Sequence, residues 1–275
     1  MADPPCETFP GPNPAPILKW PGGKRCLVAD IQPLVPRAYL RYFEPFLGGA
    51  TLFFSLAPKA AVLGDLNREL VDFYRVIRQN CEAVARRLAE LRNDRSSYYA
   101  WRGFVPRDPL SRAVRFLFLN RTCFNGLYRT NSRGEFNVPF GNNHRPVIAD
   151  VENLRRAAAA LRWATIVCAD FERTCADAAS GDLVYFDPPY TVAHERNGFL
   201  KYNARIFSWT DQTRLRRLVD RLTKHGVAII LTNAAHRSVR ELYRGYNIRT
   251  VRRLSLLSAA SSARRPVKEL IVTNY

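Results

Sequence analysis

The chain has 275 residues, 47% of them hydrophobic, and sets 42 Lys plus Arg against 24 Asp plus Glu for a net charge of +18. That length suits one large domain, or a large and a small one. No apolar run approaches the roughly 20 residues of a membrane span, and the N-terminus lacks an apolar secretory core, so a soluble, cytoplasmic protein is expected. The basic surplus points to a polyanionic partner. Its residues are spread through mixed segments instead of lining one amphipathic helix, which favours nucleic acid over a membrane surface.

Residues 1–16, "MADPPCETFPGPNPAP", are Pro-rich and are expected to be a disordered tail. From Ile17 onward strands and helices alternate. "YLRYFEPF" (39–46) reads as a strand, "GGATLFFSLAP" (48–58) as a Gly-rich turn opening a helix, and "AAVLGDLN" (60–67) as a second strand ending in an acid. In the helix that follows, Leu70, Phe73, Tyr74 and Ile77 share one face at helical spacing. This is the order of a βαβ unit with a parallel sheet.

Residues 81 to about 120 read as helical, with a core stripe of Leu110, Val114, Leu117 and Phe118. The stretch 120–145 mixes Arg, Asn, Gly and aromatics without a helical period. From about 150 the alternation resumes, with a helix (150–162), "ATIVCAD" (164–170), "LVYF" (183–186), a helix (211–224) and "VAIILTN" (227–233). Strand-like runs in "YNIRTVRRLSLL" and "KELIVTNY" finish the chain. The six cysteines form no CxxC pair and have no His at ligand spacing, so neither a zinc site nor a disulfide framework is expected, and all six read as reduced thiols.

Three acids fall at equivalent places: Asp65 after the second strand, Asp170 after "ATIVC" and Asp187 after "LVYF". Ligands of an open parallel sheet bind at the carboxyl ends of its strands, so these acids are expected at one crevice with the turn after Phe46. An acid one strand after a Gly-rich turn suits ribose hydroxyls, and Asp170 followed by Phe171 suits a base. Each acid singly also reads as a helix cap, and the Gly48–Gly49 pair, short of a full GxGxxG, also reads as a helix-entry turn.

In this order "LKWPGGK" (18–24), "FEPFLGGAT" (43–51), "GDLN" (64–67), "NRTCFNGLYRTNSRGEFNVPFG" (120–141) and "DPPY" (187–190) resemble the Dam-type DNA adenine N6-methyltransferases, from Ile17 to Tyr275. The resemblance implies an α/β fold: a Rossmann-like class I methyltransferase sheet with helices on both faces and a mostly helical insertion. It implies a catalytic domain of 17–71 and 147–275, and a DNA target-recognition domain of 72–146. It further implies S-adenosylmethionine as methyl donor. Trp20, Lys24, Phe46, Gly48, Gly49, Asp65, Asp170, Phe171 and Asp187 would address that cofactor, without a metal.

The catalytic group implied is Asp187, Pro188, Pro189 and Tyr190. Adenine N6 is a poor nucleophile because its lone pair is delocalised into the ring. Acceptors for both N6 hydrogens, the Asp187 carboxylate and the Pro188 carbonyl, favour localising that pair, and Tyr190 would stack on a base that has left the helix. Lys19, Phe124, Asn125, Leu127, Arg129 and Pro139 take positions that in Dam contact GATC or fill the gap left by the base. Arg129 suits guanine O6 and N7, and Leu127 and Pro139 suit a thymine methyl, although hairpin packing also accounts for those two.

The match breaks at Asn142, Asn143 and His144, where Dam carries an aromatic, so GATC or a related short palindrome in double-stranded DNA is the expected target. Cytosine N4, RNA adenine, a protein glutamine amide, or a non-catalytic DNA binder on the same fold are the alternatives. A monomer is expected. The C-terminal Arg252, Arg253, Arg264, Arg265 and Lys268 suggest a hairpin along phosphates, or a solvated loop. Restriction-modification, phage and solitary regulatory roles stay open.

Overall fold

The structure, a computed structural model, describes residues 13–131, 133–141, 147–191, 207–254 and 266–275. The first twelve residues, the Asn142–His144 departure and the loop with Arg264 and Arg265 lie outside them.

A short helix α1 (Val28–Ile31) precedes strand β1 (Tyr42–Glu44), helix α2 (Thr51–Leu56), strand β2 (Ala61–Asp65) and the long helix α3 (Arg68–Ala89). Helices α4 (Arg95–Gly103) and α5 (Pro109–Thr122) follow, then α6 (Val151–Leu161), β3 (Ala164–Cys168), α7 (Phe171–Thr174) and β4 (Leu183–Phe186). The chain closes with α8 (Trp209–Lys224), β5 (Ala228–Ala234), α9 (Arg237–Leu242), β6 (Asn247–Leu254) and β7 (Pro266–Thr273).

The seven strands of the described residues run in the order β3-β2-β1-β4-β5-β7-β6. β1 pairs in parallel with both β2 and β4, and β4 in parallel with β5. β7 enters antiparallel between β5 and β6. The expected α/β sheet flanked by helices is therefore present, with one strand reversed. The order turns back at β1 and β4, the switch point at which open α/β sheets hold ligands beyond the carboxyl ends of their strands.

Local sequence accounts for the elements. All four residues of "LVYF" are buried, as a central strand covered on both faces requires. Asn67 caps α3 by accepting from the Leu70 N–H at 3.2 Å, and Leu70, Val71, Phe73, Tyr74, Val76 and Ile77 form its buried stripe. Asn80 breaks the helical dihedrals within α3. Ser208 and Asp211 form a reciprocal capping box at the start of α8.

Contacts divide the chain into two compact units. The first takes the described residues up to Arg25, with Gly48–Ala57 and Leu66–Cys168. Its core includes Phe53, Phe54, Phe73, Tyr74, Val114, Leu117 and Phe118. Asn13 Nδ2 donates to the Ser55 carbonyl at 2.8 Å and the Ala15 N–H to Asn153 Oδ1 at 2.8 Å, so the end of the Pro-rich stretch is tied down in this unit. The second unit takes Cys26–Leu47, Pro58–Asp65 and Ala169–Tyr275. Its core packs Phe43, Phe171, Val184 and Phe186 with Leu215, Leu218, Val219 and Leu222 of α8. Cys81, Cys123, Cys168 and Cys175 are free thiols as expected, whereas Cys26 is disulfide-bonded, which corrects the reading of all six as reduced.

Candidate active site and nucleic-acid interface

In the second unit, β4 delivers Asp187 at its carboxyl end, beside the end of β1 from which Pro45 and Phe46 emerge; β2 ends on Asp65. Asp65 and Asp187 are both half-buried. Asp187 Oδ1 accepts a 2.7 Å hydrogen bond from Thr232 Oγ1 on β5, and that hydroxyl also lies 3.1 Å from Tyr185 Oη. Burial, then the Asp187 charge, pushes the Tyr185 phenol well above its ordinary range. Pro188 is buried and Pro189 and Tyr190 are half-buried, so two rigid residues fix the path of the chain directly after the carboxylate. At the end of β1 a further acid, Glu44, is buried and accepts from Tyr42 Oη at 2.8 Å.

Asp170 caps α7: its Oδ1 accepts from the N–H groups of Glu172 and Arg173, each at 3.1 Å. Its Oδ2 accepts from Arg214 at 2.7 Å. Arg214 also bonds Glu172 at 2.5 Å and Asp211 at 3.0 Å, and its guanidinium lies 4.9 Å from the Phe171 ring centroid. The hydrogen bonds that Arg214 donates to Glu172 and Asp170 raise its pKa, so the cation persists at any working pH. Phe171 is buried and stacks on Phe46 with centroids 5.5 Å apart, while Phe207 meets both rings edge-on. Gly64 is needed for this packing, because a Cβ there would fall 2.3 Å from Thr174 Oγ1.

In the first unit the Gly-rich turn is shaped by Trp20. Gly48 has φ of +45°, and a Cβ on it would sit 2.8 Å from Trp20 Cδ1; one on Gly49 would sit 3.2 Å from Trp20 Cβ. Tyr74 Oη donates to the Gly48 carbonyl at 3.1 Å. The Trp20 indole stacks on Tyr128 at 4.8 Å and on Phe116 at 6.3 Å. Lys24 is buried and its ammonium donates to the Gly22 carbonyl at 2.7 Å.

After α5, residues 123–131 and 133–141 of the same unit form a hairpin-like arrangement. Isolated bridges join Cys123 to Phe140 and Thr130 to Phe136, and the Phe124 N–H donates to the Pro139 carbonyl at 2.9 Å. Phe124, Asn125, Arg129, Pro139 and Lys19 are exposed and Leu127 is half-buried, so five of the six expected DNA-contacting residues present open side chains. Asn125 and Gly126 take left-handed dihedrals, and a Cβ on Gly126 would fall 2.3 Å from Lys19 Cδ, which brings Lys19 onto the loop. Arg129 Nε donates to Asn137 Oδ1 at 2.8 Å, which fixes the plane of the guanidinium. The buried Asn120 grips Lys19 from both sides, accepting from its N–H at 2.9 Å and donating to its carbonyl at 2.7 Å. Burial pushes the neighbouring Cys123 thiol up to about 12.

The sequence motifs therefore fall into two groups, one in each unit. The second holds Phe46, Asp65, Asp170, Phe171 and the 187–190 loop; the first holds Trp20, Lys24, Gly48, Gly49 and the exposed loop with Lys19. Nothing in the sequence singles out Thr232, Arg214, Asn120 or Asn137, whose roles arise from partners 8 to 101 positions away. Among the described residues no cluster of three or more His, Cys, Asp or Glu could hold a metal ion, and no helix is long and apolar enough to cross a membrane.

Residues 20–255 match the D12 class N6 adenine-specific DNA methyltransferase family. A type II methyltransferase of Lactococcus lactis subsp. cremoris is 40% identical over 96% of this chain and 96% of its own length. A type II methyltransferase of Methanocaldococcus jannaschii is 32% identical over 94% of this chain and 99% of its own, and a DNA adenine methylase of Vibrio cholerae is 33% identical over 93% and 94%. With the switch-point carboxylate, the two rigid prolines behind it and the exposed basic-aromatic loop, these matches place the chain in the D12 class of N6 adenine-specific DNA methyltransferases.

Proposed function

We propose that this enzyme transfers a methyl group from S-adenosylmethionine to N6 of an adenine extruded from double-stranded DNA, within GATC or a related short palindrome. The observation that carries the reading is Asp187: a half-buried carboxylate at the carboxyl end of a switch-point strand, with one oxygen held by Thr232 and the next two residues rigid.

S-adenosylmethionine, when bound, supplies an electrophilic methyl on a positive sulfonium. The residues present fit such a group: the half-buried Asp65 and Asp187 match the positive charge and the ribose hydroxyls, and the half-buried Phe46, backed by Phe171, offers aromatic surface. Asp170 and Phe171 are assigned to its adenine, and Arg214, bonded to one and lying over the other, is the group an adenine would meet there.

Asp187 and the Pro188 carbonyl accept the two amino hydrogens of the adenine, so the nitrogen lone pair is drawn out of conjugation. As the N6–carbon bond forms, the carbon–sulfur bond would break with its electron pair leaving on the sulfur; positive charge grows on N6, fixed negative groups stabilise that state more than the ground state, and N6 then releases its surplus proton to solvent. Tyr190 stacks on the extruded ring. Lys19, Phe124, Asn125, Leu127, Arg129 and Pro139 read the duplex, with 72–146 as the recognition insert and 17–71 with 147–275 as the catalytic part. Arg129, with its plane set by Asn137, suits a guanine edge.

Two measurements test the reading together. Labelled methyl from S-adenosylmethionine is followed into DNA by wild type and Asp187→Asn, and N6-methyladenine is mapped in DNA from cells expressing each. The expected result is modification at one short palindrome with wild type and a loss of about a hundred- to a thousandfold with the variant, on the scale of losing a preorganised transition-state contact. Equal incorporation by both proteins sinks the assignment of Asp187.

A further inference from the structure

The loop 187–191 is gripped from below by polar side chains that a core position would ordinarily exclude. Thr232 and Asn233 are adjacent on β5 and both are fully buried. Successive strand residues point to opposite faces, and these two reach opposite ends of the loop. Thr232 Oγ1 lies 2.7 Å from Asp187 Oδ1 at the loop's start. Asn233 Nδ2 donates to Gln212 Oε1 of α8 at 3.1 Å, and Gln212 Nε2 donates to Thr191 Oγ1 at 3.3 Å at its end. Gln212 is also fully buried. Three buried polar side chains side by side are costly unless each is satisfied; Thr232 and Gln212 find partners on the loop, and Asn233 is satisfied by Gln212 and the Ala234 N–H.

The direction of the first chain follows from proton counting. A hydroxyl has one proton and an ionised carboxylate only accepts. Thr232 therefore spends its proton on Asp187, for which the alternative acceptor, the Phe186 carbonyl, is more distant at 3.5 Å. The 3.1 Å contact of Thr232 with Tyr185 must then be donated by the phenol. Tyr185 is fully buried and keeps its proton, so it is a permanent donor. The result is a one-way series, Tyr185 to Thr232 to Asp187, ending on one carboxylate oxygen.

We propose that Thr232, directed by Tyr185, is a positioning residue for methyl transfer. It locks the Asp187 carboxylate rotamer so that the group meets the substrate amine as a fixed acceptor, while Asn233 and Gln212 hold the far end of the loop against it. This rests on the reading of Asp187 as an acceptor for the amine. A positioning role of this kind acts on turnover and not on ground-state affinity, because the carboxylate matters most as charge develops on the nitrogen.

The test compares wild type with Thr232→Val, Thr232→Ser, Tyr185→Phe and Asp187→Asn in steady-state methylation, with folding followed by circular dichroism. Thr232→Val keeps the shape and removes the hydroxyl. It is expected to lower kcat about 10- to 100-fold, the rate equivalent of one hydrogen bond to a charged group, with KM for DNA and for S-adenosylmethionine within about twofold, while Thr232→Ser restores most of the rate. Tyr185→Phe is expected to lower kcat by a smaller factor in the same pattern. A Thr232→Val enzyme with wild-type kcat, a loss shared by Thr232→Ser, or a loss confined to KM overturns the proposal. If Thr232→Val does not fold, Tyr185→Phe decides, and wild-type kcat there overturns it. Asp187→Asn separates the two readings. Full activity in that variant removes the reading of Asp187 as the acceptor for the amine, on which this inference rests, whereas its inactivity beside a fully active Thr232→Val removes only this inference.

Discussion

Replacing Asn120 by Leu tests whether the recognition loop is held through the backbone of Lys19. Asn120 is only 2% exposed, and its amide makes two bonds to that backbone, at 2.9 and 2.7 Å. Leucine fills a similar volume and can make neither. Each backbone group left dry costs about 1–3 kcal/mol. The exposed Lys19 side chain opens one flank to water, so the lower part of the range applies, and the sum is about 2–4 kcal/mol. The assay is urea unfolding followed by tryptophan fluorescence, since Trp20, next in sequence, reports on its stack with Tyr128. The midpoint should fall with the slope unchanged, as expected for a change in stability alone. The loop over which Lys19 lies should lose register, so discrimination between cognate and single-mismatch DNA should fall as well. A stability change below about 0.5 kcal/mol, the scale of an ordinary surface substitution, would refute the clamp.

Three further outcomes follow from particular contacts. Gly126→Ala places a Cβ 2.3 Å from Lys19 Cδ at a φ of +61°, so it should lose about 1–2 kcal/mol for the left-handed backbone alone and weaken DNA binding; an unchanged Kd would count against Lys19 as a contact. The Asp108 carboxyl is held below its usual 3.8 by the Ser111 N–H and then the Ser111 hydroxyl. A depressed folded-state pKa adds stability above the unfolded value and loses it as pH falls through the folded one. Acid unfolding of Asp108→Asn below pH 3.8 should therefore be shallower than that of wild type, and identical profiles would remove the cap from the account. Iodoacetamide should label the partly exposed Cys168 and Cys81 well before Cys123, whose thiol is pushed up to about 12, and before the buried Cys175; mass spectrometry of the digest would show a reversed order at once.

The D12 family reading draws its strength from agreement between levels that are physically independent. Apolar alternation and helix spacing place β1, β2, α6, β3, β4, α8 and β5 within a few residues of their actual bounds and the start of α3 at Arg68, whereas α3 runs on to Ala89 through the stretch from 81 that reads as a separate helical region. These elements follow from patterns of one turn or one strand, which a local window contains. The acids at Asp65 and Asp187 were visible for the same reason, as charge at the end of an apolar run. The reversal of β7 between β5 and β6 was not, because the direction of a terminal strand depends on which neighbour has free backbone groups. The Gly48–Gly49 turn shows the opposite case: its glycines were legible, but their need is set by Trp20, 28 positions earlier, which packs where a Cβ would go.

What the chain determined by itself is therefore periodic or contiguous: the βαβ order, the core stripes, the charge surplus, and the Asp-Pro-Pro-Tyr loop whose stiffness is covalent. What only the tertiary structure decided is pairing at a distance. Asp170 became a cap bound to Arg214, 44 residues away, and Asp187 acquired its hydroxyl partner from Thr232, 45 residues away. A hydrogen bond of about 3 Å constrains position far more tightly than apolar burial does, and no one-dimensional spacing encodes which two side chains will meet that condition once the sheet has closed.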